Sequence, residues 1–210
     1  CLLSRGLGDV YKRQGLDGLA VGVSSIAAIT MLAVALLTDN MAIAITMAAL
    51  TGACIGFMPY NLNPAKIFMG DTGSTFLGYM LATVSIMGLF KFYAVISFAV
   101  PFLILGLPIF DTANAIIRRL AEGRSPMSPD RGHVHHKLID MGFNQKQAVA
   151  ILYAISATLG LTAVVLTSSG EVKAVVLLAA VLAAILVGAC IIYGAEHWGK
   201  HPQEQKKHKN

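Results

Sequence analysis

Six long stretches of this chain contain no charged residue, and they constrain its fold more than any other feature. Each has 18 to 22 residues, close to the ~20 that an α-helix needs to cross a bilayer. Backbone polar groups cannot stay unpaired in lipid, so helices are the expected form. We therefore predict an all-α polytopic membrane protein with about six transmembrane helices. The stretches are Leu19–Leu37, Met41–Met58, Thr72–Phe90, Phe92–Phe110, Ala148–Ser168 and Ala174–Ala195.

The composition agrees with this class. Hydrophobic residues make up 56% of the 210 residues and charged residues 13%, against about 25% charged in soluble domains. The three cysteines do not form the pattern of a disulfide framework, since Cys54 and Cys190 lie inside apolar stretches.

Two connections between the predicted spans are very short and predict tight helical hairpins. They lie at Asp39–Asn40 and around Lys91. Within the fourth span, Pro101 and Pro108 are expected to kink or end the helix, because proline lacks the backbone N–H.

The basic residues predict the orientation. If Asp17 is cytoplasmic, eleven Lys and Arg residues after it fall on the cytoplasmic side, and only Lys91 and Lys173 fall outside. This asymmetry follows the positive-inside rule. The net charge of +5 is then explained by topology and by anionic lipid rather than by nucleic acid.

Asp71 is the first candidate site residue. It lies between Gly70 and Gly73 at the start of an apolar stretch, so a bulky anion could approach the backbone closely. Thr72 or Ser74 could cap the following helix. A carboxylate there suits a Mg²⁺ ion that holds phosphate oxygens. The alternative is that Asp71 only caps a helix.

A polar segment between the fourth and fifth spans is the second candidate region. It carries His133, His135 and His136 beside Arg131, with Asp130 as a helix N-cap and Gly142 as the helix end. Cationic side chains there could bind phosphate. Zinc is less well supported because no cysteine or glutamate ligand lies close by in sequence. A solvated basic loop that only enforces topology is the other alternative.

Asn144 and Gln147 then form a capping-box-like start for the fifth span. Asp17, in a Leu-Asp-Gly-Leu-Ala segment, is a weaker acidic candidate at a membrane boundary. Asp111 follows Pro108 at the end of the fourth span, and we rank it below Asp71 because an acid at a span end is often only interfacial.

Three ordered motifs carry a family resemblance. Residues 61–74 (NLNPAKIFMGDTGS) resemble the signature of polyprenyl-phosphate N-acetylhexosamine-1-phosphate transferases. Residues 16–20 (LDGLA) and 128–138 (SPDRGHVHHKL) are similar to two further motifs of that family. The histidine motif resembles the branch that uses UDP-N-acetylglucosamine and starts teichoic acid, O-antigen or arabinogalactan linkage units.

The resemblance implies a reaction and a site. N-acetylhexosamine-1-phosphate, expected to be GlcNAc-1-phosphate, would pass from a UDP-sugar to a polyprenyl phosphate, and UMP would leave. Asp71 would hold Mg²⁺, or Mn²⁺ in its place, and Asp17 would be a second catalytic residue. The implied substrate-binding residues are Asn61, Lys66, Gly70, Ser74, Arg131, His133, His135 and His136. The enzyme would lie in the plasma membrane with its active face cytoplasmic, with a homodimer as a further expectation.

The chain also departs from the family. Family members carry additional N-terminal spans and a paired-aspartate motif, and this chain contains no Asp-Asp pair. We interpret residues 1–14 as a foreign segment, 15–195 as the C-terminal part of the transferase domain with a cytoplasmic loop at 111–146, and 196–210 as a basic cytoplasmic tail. On this interpretation the chain alone is expected to be inactive.

Two other functions stay open at this point. One is the sister branch of the family, which transfers phospho-MurNAc-pentapeptide. The other is a transporter or a non-catalytic membrane scaffold. Transporters place polar groups near the bilayer midplane, whereas the acids here cluster at one surface, which favours surface chemistry.

Overall fold

The computed structural model describes residues 16–89, 94–125 and 133–168, and these ranges form helices joined by turns and loops, with no strand among them. We number the helices of these ranges in chain order. They are α1 (Leu19–Leu37), α2 (Met41–Asn61), α3 (Gly70–Leu89), α4 (Ala94–Ile104), α5 (Gly106–Ala121), α6 (Val134–Asp140) and α7 (Gln145–Ser168). The all-α prediction for this polytopic membrane protein is confirmed.

Three helices in the described ranges are long and apolar enough to cross a membrane, namely α1, α2 and α7. They correspond to the first, second and fifth predicted spans. Helix α2 runs three residues past the predicted end at Met58, through Pro59, and Leu62 N then donates to the Met58 carbonyl. The predicted span Ala174–Ala195 lies outside the described residues, and a total of six spans stays a prediction.

A tight hairpin joins α1 to α2, as predicted. Asp39 adopts a left-handed backbone with φ of 52°, and the Asn40 side chain accepts a hydrogen bond from Ile43 N at 3.5 Å. The predicted hairpin around Lys91 lies outside the described residues.

The core lies where α1 packs between α2 and α7. Val21, Ala28, Met47, Ala148 and Ala163 are fully buried or nearly so there. Large apolar side chains elsewhere face outward, including Ile45 at 70% and Leu161 at 66% exposure. An apolar exterior of this kind suits a lipid environment rather than water.

Small residues allow the close approach of α1 and α7. A Cβ built on Gly22 would lie 2.0 Å from the Tyr153 ring. The Tyr153 hydroxyl donates to the Gly18 carbonyl at 2.6 Å. This contact ties the N-cap of α1 to the first half of α7.

The fourth predicted span is divided into α4 and α5. Helix α4 continues past Pro101 to Ile104, and α5 begins at Gly106 with Pro108 in its first turn. Because Pro108 has no N–H, it cannot donate to the Ile104 carbonyl, and a proline is tolerated best in a first helical turn. The predicted interruption is therefore confirmed near Pro108, with the break at Leu105, whereas Pro101 lies inside α4 and does not end it.

The segment before α7 also follows its sequence signals. Helix α6 ends at Asp140, and Gly142 follows with φ of 94°, the left-handed conformation that glycine adopts after a helix. Asn144 N donates to Gln147 Oε1 at 3.0 Å, and Gln147 N donates to Asn144 Oδ1 at 2.9 Å. The predicted capping box is confirmed. The predicted N-cap Asp130 lies outside the described residues, and His133 is the N-cap of α6.

Candidate active site

A cavity of about 860 Å³ lies among α1, α3, α5, α6 and α7. Its ionisable lining residues are Asp17, Asp71, Asp111 and His135. The walls beside them are apolar and include Val23, Ala27, Leu81, Leu107, Ile116 and Leu152. The cavity therefore joins three carboxylates and an imidazole to an apolar chamber.

Asp17 reaches the cavity from the turn before α1, where Gly18 has φ of 80°. Its Oδ2 accepts hydrogen bonds from Asn63 Nδ2 and Ala65 N, each at 3.2 Å. Asn63 Nδ2 also donates to Gln145 Oε1 at 2.9 Å. Asp17 thus holds the 62–69 loop, and Asn63 ties that loop to the start of α7.

Asp71 lies in the first turn of α3 and is exposed. Its carboxylate accepts no hydrogen bond from any residue in the described ranges. Gly70 has φ of 68°, and a Cβ built on it would meet open space. The carboxylate is therefore accessible from the cavity.

The glycines and hydroxyls around Asp71 differ in part from the sequence predictions. Helix α3 already begins at Gly70, so Thr72 lies in its first turn, Ser74 lies just after that turn, and neither residue is a cap. Ser74 Oγ instead donates to the Asp71 carbonyl at 3.1 Å. A Cβ on Gly73 would lie 2.4 Å from Met69 Cγ. Gly73 therefore makes room for Met69, and only Gly70 leaves open space for a ligand.

The histidine segment meets the cavity through His135. His133 is the N-cap of α6 with an extended backbone, so it does not share a helix face with His136, although a spacing of three residues would place both on one face of a continuous helix. His135 stacks on His133 with ring centroids 5.7 Å apart and contacts the His136 ring at 4.2 Å. Burial, and then the neighbouring His136 and His133, lower the pKa of His135 to about 4. His135 is therefore neutral near pH 7 and offers one donor and one acceptor nitrogen.

Asp111 fixes the start of α6. Its Oδ2 lies 2.9 Å from His133 Nδ1, and its Oδ1 accepts a hydrogen bond from Val134 N at 2.9 Å. Sequence reasoning ranked this residue low. Nothing in the sequence signals a pairing across 22 residues, and only the nearby proline break indicates that the chain turns there.

The remaining predicted site residues have different positions. Asn61 lines the cavity, but it is buried and its Nδ2 donates to the Ile67 carbonyl at 2.9 Å. Lys66 is exposed on the 62–69 loop and does not line the cavity. His133 and His136 flank His135 without lining the cavity. Arg131 lies outside the described residues.

Residues 13–89 match the sequence profile of the family described as Glycosyl transferase family 4. The chain is 42% identical over 156 residues to the Bacillus subtilis protein named "Probable undecaprenyl-phosphate N-acetylglucosaminyl 1-phosphate transferase", covering 74% of this chain and 44% of that protein. It is 40% identical to the decaprenyl-phosphate N-acetylglucosaminephosphotransferase of Mycolicibacterium smegmatis, covering 67% and 39%.

A relative from the sister branch is also similar. It is the phospho-N-acetylmuramoyl-pentapeptide-transferase of Desulforudis audaxviator, at 33% identity, covering 71% of this chain and 43% of that protein. The chain thus spans less than half the length of these three relatives. The resemblance read from the motifs is confirmed, and the chain belongs with the polyprenyl-phosphate N-acetylhexosamine-1-phosphate transferases of Glycosyl transferase family 4.

Proposed function

We propose that this chain forms the sugar-phosphate transfer site of a polyprenyl-phosphate GlcNAc-1-phosphate transferase. The observation that carries the proposal is the joining, in one cavity, of Asp17, Asp71 and His135 to an apolar chamber. Each of these three residues comes from one of the three family-like motifs. A site that unites a nucleotide sugar with a lipid phosphate needs both a polar end and an apolar wall.

The polar end favours a metal ion. Three carboxylates would repel a diphosphate and a lipid phosphate unless a cation neutralised them, and the neutral His135 ring supplies no positive charge. Mg²⁺ is usually held by one or two carboxylates, with waters and substrate phosphates completing its shell. A Mg²⁺ site of this kind does not need three protein ligands close together. The described ranges contain no such group of three. Asp71 would hold the ion, because its carboxylate is accessible and has no partner in those ranges; Mn²⁺ could take its place.

When bound, Mg²⁺ would supply neutralisation of the phosphate charges. In the proposed reaction, a polyprenyl phosphate oxygen forms a bond to the β-phosphorus of UDP-GlcNAc. The bond from that phosphorus to the α–β bridging oxygen breaks, and UMP leaves with the bridging oxygen. The products are UMP and a polyprenyl-diphospho-GlcNAc, which would initiate a cell-wall or surface polysaccharide.

The side chains of this chain position the two substrates. Neutral His135 can accept from a sugar hydroxyl or acetamide and can donate to a phosphate oxygen. Asp17 keeps the 62–69 loop at the cavity edge through Asn63 and Ala65. Lys66 on that loop and Arg131, which precedes the histidines in the sequence, would add positive charge for the diphosphate. The apolar walls would hold the first isoprene units of the lipid.

The topology predicted from the basic residues also implies a cellular location. We propose a multi-pass plasma-membrane protein with the cavity on the cytoplasmic side, where the UDP-sugar is available. The homodimer expected from the resemblance stays a prediction.

The test uses a chimera in which this chain replaces the matching segment of the Bacillus subtilis relative. The purified chimera, with undecaprenyl phosphate, Mg²⁺ and UDP-GlcNAc labelled in the sugar, is expected to form a labelled lipid and an equal amount of UMP. Absence of both products, while the parent relative is active, would reject the proposal.

A second candidate is the transfer of phospho-MurNAc-pentapeptide, which the similarity to the Desulforudis audaxviator relative supports. A parallel chimera built on that relative separates the two candidates. A higher kcat/KM for UDP-MurNAc-pentapeptide than for UDP-GlcNAc in both chimeras would assign the sister branch.

A further inference from the structure

Asp111 makes two hydrogen bonds to the histidine segment from a different helix. It lies on α5, and its two carboxylate oxygens face His133 Nδ1 and Val134 N, each at 2.9 Å. Val134 is the first residue of α6. A first-turn N–H has no partner within its own helix and is usually satisfied by the N-cap side chain. The His133 side chain makes no such bond, and Asp111 supplies the acceptor instead.

Helix α6 depends on contacts of this kind. It has seven residues, and none of them is fully buried. An isolated helix of this length is not stable in water, so its place must be set by its neighbours. Its end is turned by Gly142 and joined to α7 through the Asn144–Gln147 box. Asp111 provides the corresponding attachment at its start.

We propose that Asp111 is a positioning residue that docks α6 onto α5 and thereby holds the His135 ring at the cavity. Its consequence for substrate use depends on the proposed function, whereas the docking itself does not. Asp111→Ala removes both hydrogen bonds. Asp111→Asn keeps an acceptor for Val134 N, and its amide can donate to His133 Nδ1 in the other ring tautomer. The asparagine variant is therefore expected to preserve docking without the charge.

The first measurement is amide hydrogen exchange of the chain in lipid nanodiscs. In Asp111→Ala the α6 amides should exchange about tenfold faster or more, because two hydrogen bonds are lost. In Asp111→Asn they should stay within about threefold of the wild type. Asp140→Ala is the matched control, since Asp140 is an exposed acid at the far end of the same helix. Amides of α1 and α7 report whether each variant remains folded.

The second measurement is the pKa of His135, which the two possible roles of Asp111 would shift in opposite directions when Asp111 is replaced. The negative charge of Asp111 raises the pKa of His135, whereas burial among the other side chains lowers it. If Asp111 acted only by its charge, Asp111→Ala would move that pKa further down. If Asp111 docks α6, the ring becomes exposed and its pKa should rise toward the ordinary value of about 6.5. NMR titration of isotope-labelled histidine, assigned with His135→Gln, separates these outcomes.

The third measurement is kinetic and uses the transferase chimera. Asp111→Ala should reduce kcat/KM for the UDP-sugar as strongly as His135→Ala does, and the double variant should lose little more, because both act through one ring. Additive losses would overturn the positioning role, as would unchanged exchange in α6 or a fall in the His135 pKa. If the chimera is inactive, the exchange and titration results still decide the docking, so failure of the proposed function is distinguishable from failure of this inference.

Discussion

The three carboxylates of the cavity differ in how many of their oxygens are already bonded. Asp17 accepts two hydrogen bonds from the 62–69 loop, and Asp111 accepts bonds at the start of α6. Asp71 accepts none from the described ranges. A metal or substrate would displace existing contacts at Asp111 and would share the Asp17 carboxylate with the 62–69 loop, whereas Asp71 is available without either cost. The division points to Asp71 for ligand binding and to the other two for architecture.

The first prediction concerns Asp71. In the chimera, Asp71→Asn should lower kcat/KM at least about 100-fold, or about 2.7 kcal/mol of transition-state stabilisation. The substitution removes a charge that Mg²⁺ requires and preserves the shape of the side chain. Asp140→Asn is the matched control and should stay near wild type. Near-normal activity of Asp71→Asn at saturating Mg²⁺ would show that Asp71 does not hold the metal ion and has only a structural role in the first turn of α3.

The second prediction concerns the three histidines, which the sequence could not rank. His135 lines the cavity and His136 does not. His135→Ala should therefore raise KM for the UDP-sugar, with a smaller effect on the lipid phosphate, and His136→Ala should have less effect on both. The measurement is kcat/KM with each substrate varied separately. If all three His→Ala variants keep the UDP-sugar value within about twofold, a change below ~0.5 kcal/mol, the segment has no role in recognition.

The third prediction concerns acid stability. The folded-state pKa of His135 is about 4, below the unfolded value of about 6.5. Above pH 6.5 both states hold a neutral ring, and between those two values only the unfolded state binds the proton. Stability should therefore fall as the pH falls through this window. His135→Gln should show a weaker decrease in Tm between pH 6.5 and pH 4 by circular dichroism, and an identical decrease would contradict the assignment.

At the scale of elements, the features that could be predicted from the sequence depend on residues that lie close together in the chain. Apolar length located α1, α2 and α7, and short-range chemistry located the Asp39–Asn40 turn, the interruption near Pro108 and the Asn144–Gln147 box. What could not be predicted depends on partners far apart in the chain. Asp111 with His133, and Asn63 with Asp17 and Gln145, meet only once the helices pack.

The fourth prediction tests the packing of α1 against α7. Gly22→Ala should destabilise the chain, because the new methyl would lie 2.0 Å from the Tyr153 ring, which cannot move without breaking its bond to the Gly18 carbonyl. Overpacking of this kind costs about 1–3 kcal/mol. Gly52→Ala on α2 is the control, since nothing lies within 4 Å of its Cβ, and it should be neutral or up to about 1 kcal/mol stabilising. Thermal unfolding in one detergent compares the two, and equal Tm values would contradict the contact.

At the scale of the whole molecule, the polar site lies at one end of the helices. The start of α1, the loop after α2 and the start of α7 are joined there through Asn63, which bonds to both Asp17 and Gln145. The turn between α1 and α2 lies at the other end of both helices, since each has about 20 residues. This arrangement is what a cytoplasmic site on alternating spans requires.

The last prediction is therefore the topology. With the three native cysteines replaced, Asp39→Cys and Arg124→Cys should be labelled by a membrane-impermeant thiol reagent from opposite sides of the bilayer. Both positions are exposed, so a missing signal reflects sidedness rather than burial. Arg124 lies just after α5 and belongs to the basic residues that are predicted to be cytoplasmic, whereas Asp39 lies in the α1–α2 turn. In intact cells only Asp39→Cys should react, and in inside-out vesicles only Arg124→Cys. Reaction of both from the same side would exclude the alternating arrangement and, with it, a cytoplasmic position for the cavity.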